Sequence, residues 1–182
     1  STAVIGDGTA YFYMYKSNHG LAVGNTFTIG GTVSVYNNVL QFNNPTISNK
    51  ATGATPVYDN PVEADEAYLS SYVSAPVTEY IHAKGTQSGQ EISVGSQKLY
   101  LSAKNAETDG KDVEVYGFVY GYSTKYSNTY FYATSIAEDP TVPKLSVTPT
   151  SKTWASDETD AAVFTVKTNT EGEKDWSVSP TT

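Results

Sequence analysis

The chain has 182 residues, enough for one large domain or two small ones with a hydrophobic core. Its eleven basic residues are all lysines and it has nineteen acidic ones, so the net charge of −8 disfavours binding to a phosphate backbone. The absence of cysteine excludes disulfides, thiol catalysis and cysteine-based zinc sites. Fifteen tyrosines and abundant Thr, Ser, Asn and Gly are typical of an extracellular all-β protein. We therefore expect an extracellular protein.

Short runs rich in Val, Ile, Thr, Tyr and Phe, separated by turn pairs such as Asp7-Gly8, predict β-strands along most of the chain. One helix is predicted over Val62–Tyr72, and Pro76 would end it. No apolar run approaches the ~20 residues of a membrane-spanning helix, so we expect no membrane insertion by this segment. The predicted strands cover residues 9–16, 25–36, 39–48, 77–87, 90–93, 97–103, 112–123 and 129–137.

The sequence contains an internal repeat, in which residues 8–36 align without gaps with residues 94–122. Gly24 falls on Gly110, and Tyr13 falls on Leu99. Gly31 falls on Gly117 in the middle of a predicted strand, where glycine commonly marks a bend or bulge. The second copy also contains the stretch "TEYIHAKGTQ", for which the first copy has no counterpart. The pattern predicts one small β-barrel unit present twice, the first without its opening strands.

The stretch "GLAVGNTFTIGGTVSVYNNVLQF" and its repeat resemble the OB-fold domains of secreted Bacteroidetes proteins. After the Pro-bearing segment at residues 140–144, "LSVTPTSKTWASDETDAAVFTVKTNTEGEKDWSVSP" resembles the beginning of the BACON family of Bacteroidetes-associated, carbohydrate-binding domains. The matching features include Leu145-Ser146-Val147, a strand over residues 162–168, Asn169 and Trp176.

These resemblances imply an all-β chain of OB-like small β-barrel units with one short helix, plus a partial Ig-like β-sandwich. The implied domains are an incomplete OB-like unit at 1–60, a second at 61–139 with its preceding helix, a linker at 140–144 and the partial sandwich at 145–182. They also imply that the chain is a fragment of a larger protein that is secreted or anchored at the outer-membrane surface, and therefore extracellular or periplasmic. An incomplete sandwich has unpaired edges, so we expect an oligomer or a strand swap through it.

Residues suited to catalysis are sparse. The two histidines, His19 and His82, stand in a loop and a strand, and neither lies in the context of an activated nucleophile. The acidic cluster around Glu63 is expected at a helix start, and Asp157 belongs to an acidic loop without the spacing of a calcium site. We therefore predict no enzymatic activity, no metal and no cofactor.

The strongest remaining signal is an aromatic stripe on the strand over residues 112–123. Tyr116, Phe118 and Tyr120 alternate with small apolar residues, whereas the first copy has hydroxyl side chains on that face. The rings either pack against the helix or the first copy, or they stack a ligand. The ligand-stacking candidates near the hairpin tip are Tyr122, Tyr126, Tyr130 and Tyr120, and the secondary candidates are Trp154 and Trp176.

The leading functional hypothesis is a non-catalytic extracellular accessory or binding module of a larger surface protein, with a glycan or a protein as its partner. One alternative is a single-stranded nucleic-acid-binding OB module, although the charge disfavours nucleic acid. It requires a positive groove, formed by lysines Lys16, Lys84, Lys98, Lys111 and Lys125. Another alternative is a structural spacer or interaction domain, which burial of the aromatic stripe would favour.

Overall fold

The computed structural model describes residues 2–148 and 165–169. The chain divides into two compact units, Ser1–Glu138 and Asp139–Thr182. Over these residues the fold is all-β with one short helix, as the sequence predicts. The elements are β1 Thr2–Gly6, β2 Tyr11–Tyr15, β3 Thr26–Gly30, β4 Val33–Tyr36, β5 Val39–Asn43, β6 Thr46–Ala51, β7 Val62–Glu63, α1 Glu66–Tyr72, β8 Glu79–Ser88, β9 Glu91–Val94, β10 Gln97–Leu101, β11 Asp112–Ser123, β12 Asn128–Glu138, β13 Leu145–Thr148 and β14 Thr165–Thr168.

Strands β8 to β12 form a closed five-stranded barrel, which we call the closed barrel. Consecutive strands β8, β9 and β10 are antiparallel, β12 is parallel to β10, and β11 pairs antiparallel with both β12 and β8. This is the strand order of the OB fold. The interior is filled by side chains with no exposed surface, namely Ile81, Ile92, Leu99, Val113, Val115, Val119 and Phe131.

Helix α1 covers one end of the closed barrel, where it buries Leu69 and Tyr72 in the barrel core. It is shorter than the predicted Val62–Tyr72 because the carboxylate of Asp65 accepts a hydrogen bond from the backbone N–H of Tyr68, 2.8 Å away, and so caps the helix. The residues before this cap form β7, which pairs in parallel with β8.

Strands β1 to β6 form a second assembly, which we call the open unit. One sheet has the order β1-β2-β5-β4, and β3 pairs with β6. The predicted strand over 25–36 is two strands because Gly31 has a φ of 151°, and the predicted strand over 39–48 is interrupted at Asn44, with a φ of 49°. Strand β1 was not predicted.

The open unit repeats the pairing of the closed barrel without its first strand. Strand β5 is parallel to β2 as β12 is to β10, and Met14 pairs with Phe42 as Leu101 pairs with Phe131. The predicted alignment of Tyr13 with Leu99 is therefore wrong by one residue, because the segment from Met14 to the start of β3 is longer than its counterpart after Leu101. Tyr13 takes the outward place of Tyr100. The division of residues 1–138 into two separate domains stays a prediction.

In the second compact unit, β13 and β14 pair antiparallel, and Leu145 lies opposite Thr168. The side-chain amide of Asn169 holds the predicted linker, because its Oδ1 accepts from the backbone N–H of Lys144 at 2.6 Å and its Nδ2 donates to the carbonyl of Val142 at 2.9 Å. The other predicted parts of the sandwich, including Trp154, Trp176 and the acidic loop at Asp157, lie outside the described residues.

Candidate functional site

The candidate site is an aromatic face to which both repeats contribute, and we call it the tyrosine surface. Tyr100 and Tyr130 are direct neighbours on β10 and β12, and Tyr120 extends the row on β11. Tyr13 enters from β2 of the open unit because its side chain points away from the interior of that unit. The tyrosine surface comprises Tyr13, Tyr15, Tyr36, Tyr100, Tyr120 and Tyr130.

Stacking fixes the geometry of the tyrosine surface. The ring centroid of Tyr120 lies 4.8 Å from that of Tyr13 and 5.7 Å from that of Tyr130, with interplanar angles of 13° and 21°. Tyr100 meets Tyr130 edge-on, with the centroids 6.2 Å apart. Such offset and edge contacts are favourable aromatic geometries. Because two rings already stack on Tyr120, little of its own ring face remains for a ligand.

Two hydroxyl groups of the tyrosine surface, those of Tyr13 and Tyr120, ionise less readily than an ordinary tyrosine. Burial raises the pKa of Tyr120 well above its ordinary value, and the neighbouring hydroxyls of Tyr13 and Tyr130 raise it further. Burial also raises the pKa of Tyr13. The hydroxyl of Tyr100 donates to the side-chain oxygen of Gln90 at 3.2 Å. The surface therefore offers ring edges and hydroxyl groups.

The exposed part of the tyrosine surface lies on the open unit. Tyr15 is 47% exposed and Tyr36 is 51% exposed, whereas Tyr100 and Tyr130 are half-buried. Both exposed residues lie near enough to Tyr13 for their hydroxyls to raise its pKa. The sequence did not identify Tyr15 and Tyr36 as site residues, because they become neighbours of the barrel tyrosines only through the packing of the two repeats.

Of the four predicted stacking residues, the structure brings Tyr120 and Tyr130 together and places Tyr122 and Tyr126 nearer the hairpin tip. Tyr122 is half-buried, and its backbone N–H donates to the carbonyl of Asn37 at 3.0 Å. Tyr126 is 60% exposed, and the ammonium nitrogen of Lys125 lies 4.7 Å from its ring centroid. The secondary candidates Trp154 and Trp176 lie outside the described residues.

The other half of the aromatic stripe is packed between the two repeats. Phe118 is only 5% exposed, and its ring contacts those of Tyr11 at 4.8 Å, Tyr80 at 5.0 Å and Tyr58 at 5.8 Å. The packing interpretation of the stripe therefore holds for Phe118, and the contact with the first copy is made by Tyr11.

The lysines predicted for the nucleic-acid alternative are partly neutralised. Lys98 forms an ion pair of 2.7 Å with Glu91, and Lys111 pairs with Glu138. The ammonium group of Lys16 donates to Asn44 at 3.4 Å, and Lys84 also has interaction partners. Cations that are already paired offer less charge to a phosphate backbone.

A cluster of titratable residues surrounds His82, which the sequence assigned to a strand without a chemical role. Its Nδ1 lies 2.8 Å from both carboxylate oxygens of Glu63, and its Nε2 lies 2.9 Å from Glu114. The ring also stacks on Tyr116, with centroids 4.5 Å apart. A carboxylate therefore lies within hydrogen-bond distance of each ring nitrogen. The cluster joins β7, β8 and β11.

A groove of about 470 Å³ opens at one end of the open unit. Its walls include Phe12, Val35 and Leu40 from the open unit, Val77 from the segment between α1 and β8, and Tyr80 from β8. Within the described ranges, 2–148 and 165–169, there is no group of three or more His, Asp or Glu side chains arranged to hold a metal ion. None of the described helices has the length and apolar character needed to cross a membrane.

Comparisons of the chain with protein-family models, with curated proteins and with solved structures gave no match.

Proposed function

We propose that this chain is a non-catalytic, extracellular binding module that binds a neutral oligosaccharide through the tyrosine surface. The proposal extends to its source: a secreted or surface-anchored Bacteroidetes protein in which the OB-like units and the BACON-like segment position other parts of a larger chain.

The observation that carries the proposal is the exposure of Tyr15 and Tyr36 beside a row of stacked tyrosines. A pyranose ring has an apolar face of C–H groups that packs on an aromatic ring, and its hydroxyls pair with neutral polar groups. Tyrosine suits this contact because its ring buries apolar area while its hydroxyl stays hydrated. Tyr13 and Tyr120 are already stacked on each other beside the exposed rings, so a ligand bound there would not have to order these two side chains.

Charge favours a neutral ligand over a nucleic acid. Bases stack on aromatic rings too, but such sites combine the rings with a positive groove that follows the backbone. Here the chain has a net charge of −8, and Lys98 and Lys111 are paired with glutamates. A sugar without charge needs no such groove.

The test is a glycan array probed with the full chain, followed by calorimetric titration of the best ligand. We expect Tyr36→Ala and Tyr15→Ala to weaken binding about tenfold or more each, the loss expected for one stacking ring. Tyr132→Ala is the matched control, because Tyr132 is 42% exposed and is not part of the tyrosine surface. Tyr126→Ala tests whether the hairpin tip takes part.

Failure of the chain to bind any glycan would refute the proposal. Equal losses in the Tyr132→Ala control and in Tyr36→Ala would show that the binding is not specific to this surface. A salt-dependent shift of a labelled oligonucleotide would instead support the nucleic-acid alternative.

A structural role is the second candidate function, and the burial of Phe118 between Tyr11 and Tyr80 favours it. In that case the aromatic residues would only hold the two repeats together. Replacement of the exposed Tyr36 would then change no binding activity.

A further inference from the structure

The open unit has two strand edges that correspond to paired edges in the closed barrel. In the closed barrel, β8 pairs with β9 through Thr86–Ser88 and with β11 through residues 79–86. The equivalents of β9 and β11 in the open unit are β1 and β3. Among the described residues, β1 pairs only with β2 and β3 only with β6. No strand in the described ranges therefore lies between β1 and β3, and we call this place the vacant position.

Side chains on the strand next to the vacant position are less buried than their equivalents in the closed barrel. Val113 and Val115 on β11 have no exposed surface, whereas Phe27 and Ile29, their counterparts on β3, are only half-buried. Register also makes Val33 the counterpart of Val119, since Val33 lies opposite Phe42 as Val119 lies opposite Phe131. Val33 is nevertheless 48% exposed. The interior of the open unit is apolar, and no strand of the described ranges covers it as β8 covers the closed barrel.

The groove lies at the same end of the open unit that α1 covers in the closed barrel. There, the backbone N–H of Gly121 donates to the hydroxyl of Tyr72 at 3.0 Å, and Leu69 fills the core. In the open unit the corresponding end carries Val35, 68% exposed, and Leu40, 55% exposed, and both line the groove. The groove thus lies at an end of the open unit that no described helix covers.

We propose that an extended strand, leading directly into Thr2 through a tight turn, binds between β1 and β3 and closes the open unit as β8 closes the barrel. The closed barrel supplies the geometry, because β8 runs into β9 through only Gly89 and Gln90. The strand runs antiparallel to both neighbours. Its inward side chains are small or branched and apolar, as Ile81 and Ala83 are in β8. Backbone hydrogen bonds to β1 and β3 would provide the affinity for this strand. Its apolar contacts with the interior would fix its register.

The test uses the full chain and a version in which a copy of residues 78–90 precedes Thr2. Amide hydrogen exchange is measured over Thr2–Gly6 and Thr26–Gly30. We expect fast exchange in the chain without the extension and exchange at least about tenfold slower with it, because paired edge amides open less often. The matched control carries the extension with Ile81→Asp and Ala83→Asp in the added copy only, and it should give no protection.

Three outcomes would overturn the proposal. The first is that both strands exchange slowly without the extension at every protein concentration. The second is that the extension leaves both strands unprotected while β8 and β12 of the closed barrel stay protected, which rules out general misfolding. The third is that protection without the extension rises with protein concentration, which would assign the vacant position to a second copy of the chain. Glycan binding is not needed for any of these measurements.

Discussion

Phe131 and Phe42 occupy the same place in the two repeats, yet Phe131 has no exposed surface and Phe42 is only half-buried. Each lies opposite an apolar residue on a parallel neighbouring strand: Phe131 lies opposite Leu101, and Phe42 lies opposite Met14. What differs is the strand opposite, since β8 covers the interior of the closed barrel and nothing described covers that of the open unit. The comparison shows that a sequence pattern can place a side chain inward without providing the surface that buries it.

The largest effect expected from this comparison is on stability. Phe131→Ala should lower the free energy of unfolding by about 4 kcal/mol, because a fully buried ring leaves a cavity. Phe42→Ala should cost clearly less, since part of its ring is already hydrated. Urea unfolding of both variants measures the difference, and equal losses would contradict the open arrangement of the first repeat.

Glycine positions give the next comparison. A Cβ at Gly117 would lie 2.2 Å from the carbonyl oxygen of Tyr132, whereas a Cβ at Gly30 would meet nothing within 4 Å. Gly117→Ala should therefore destabilise by about 3 kcal/mol, because the clash is with backbone that must move. Gly30→Ala should be close to neutral. Thermal unfolding of the pair tests this, and a neutral Gly117→Ala would count against the register of β11 with β12.

The His82 cluster provides a third test, because it joins β8 to β7 and β11. The described part of the open unit has no counterpart of β8. His82→Ala should cost about 2 kcal/mol, because His82 is 8% exposed and Glu114 would lose its donor in a partly buried setting. Glu63→Gln is the control with a small effect, because the Glu63 side chain is 77% exposed. Chemical denaturation measures the free energy of unfolding of both variants. Equal losses would show that the contact with Glu114 stabilises the fold no more than the contact with Glu63 does.

The smallest effect concerns pH and should be similar in both repeats. The hydrogen bond from Lys104, together with the backbone N–H of Gly89, holds the pKa of Asp109 below its usual value, and Thr9 does the same for Asp7. A lowered pKa gives stability that is present above the unfolded value, about pH 4, and is lost as the pH falls through the folded value.

Asp109→Asn and Asp7→Asn should therefore each show a slightly smaller fall in melting temperature between about pH 5 and pH 3 than the unchanged chain. Both carboxylates are exposed, so closure of the barrel should make no difference. A much larger effect at Asp109 than at Asp7 would show that its ion pair is coupled to the closed core.

Local pattern predicted much of this architecture. Alternating Val, Ile, Tyr and Phe residues with turn pairs predicted most strands, and the repeat predicted that the first copy lacks a counterpart of β8. The sequence predicts a bend or bulge at Gly31. It does not reveal the φ of 151° at this residue, which divides residues 25–36 into two strands. The start of α1 was missed because Val62 and Glu63 pair with β8 as β7, and the helix begins only after its cap at Asp65.

The sequence by itself determined which residues alternate inward and outward, that the chain is all-β, and that a tyrosine-rich face exists on the second copy. Only the tertiary structure decided which rings meet. Tyr13 reaches Tyr120 because a shift of one residue in β2 turns it outward, and the turn at Asn37 approaches β11 because Gly121 has no side chain, where a Cβ would lie 2.9 Å from Asn37. Contacts between distant segments depend on register and on vacant space, and neither is a property of a local run of residues.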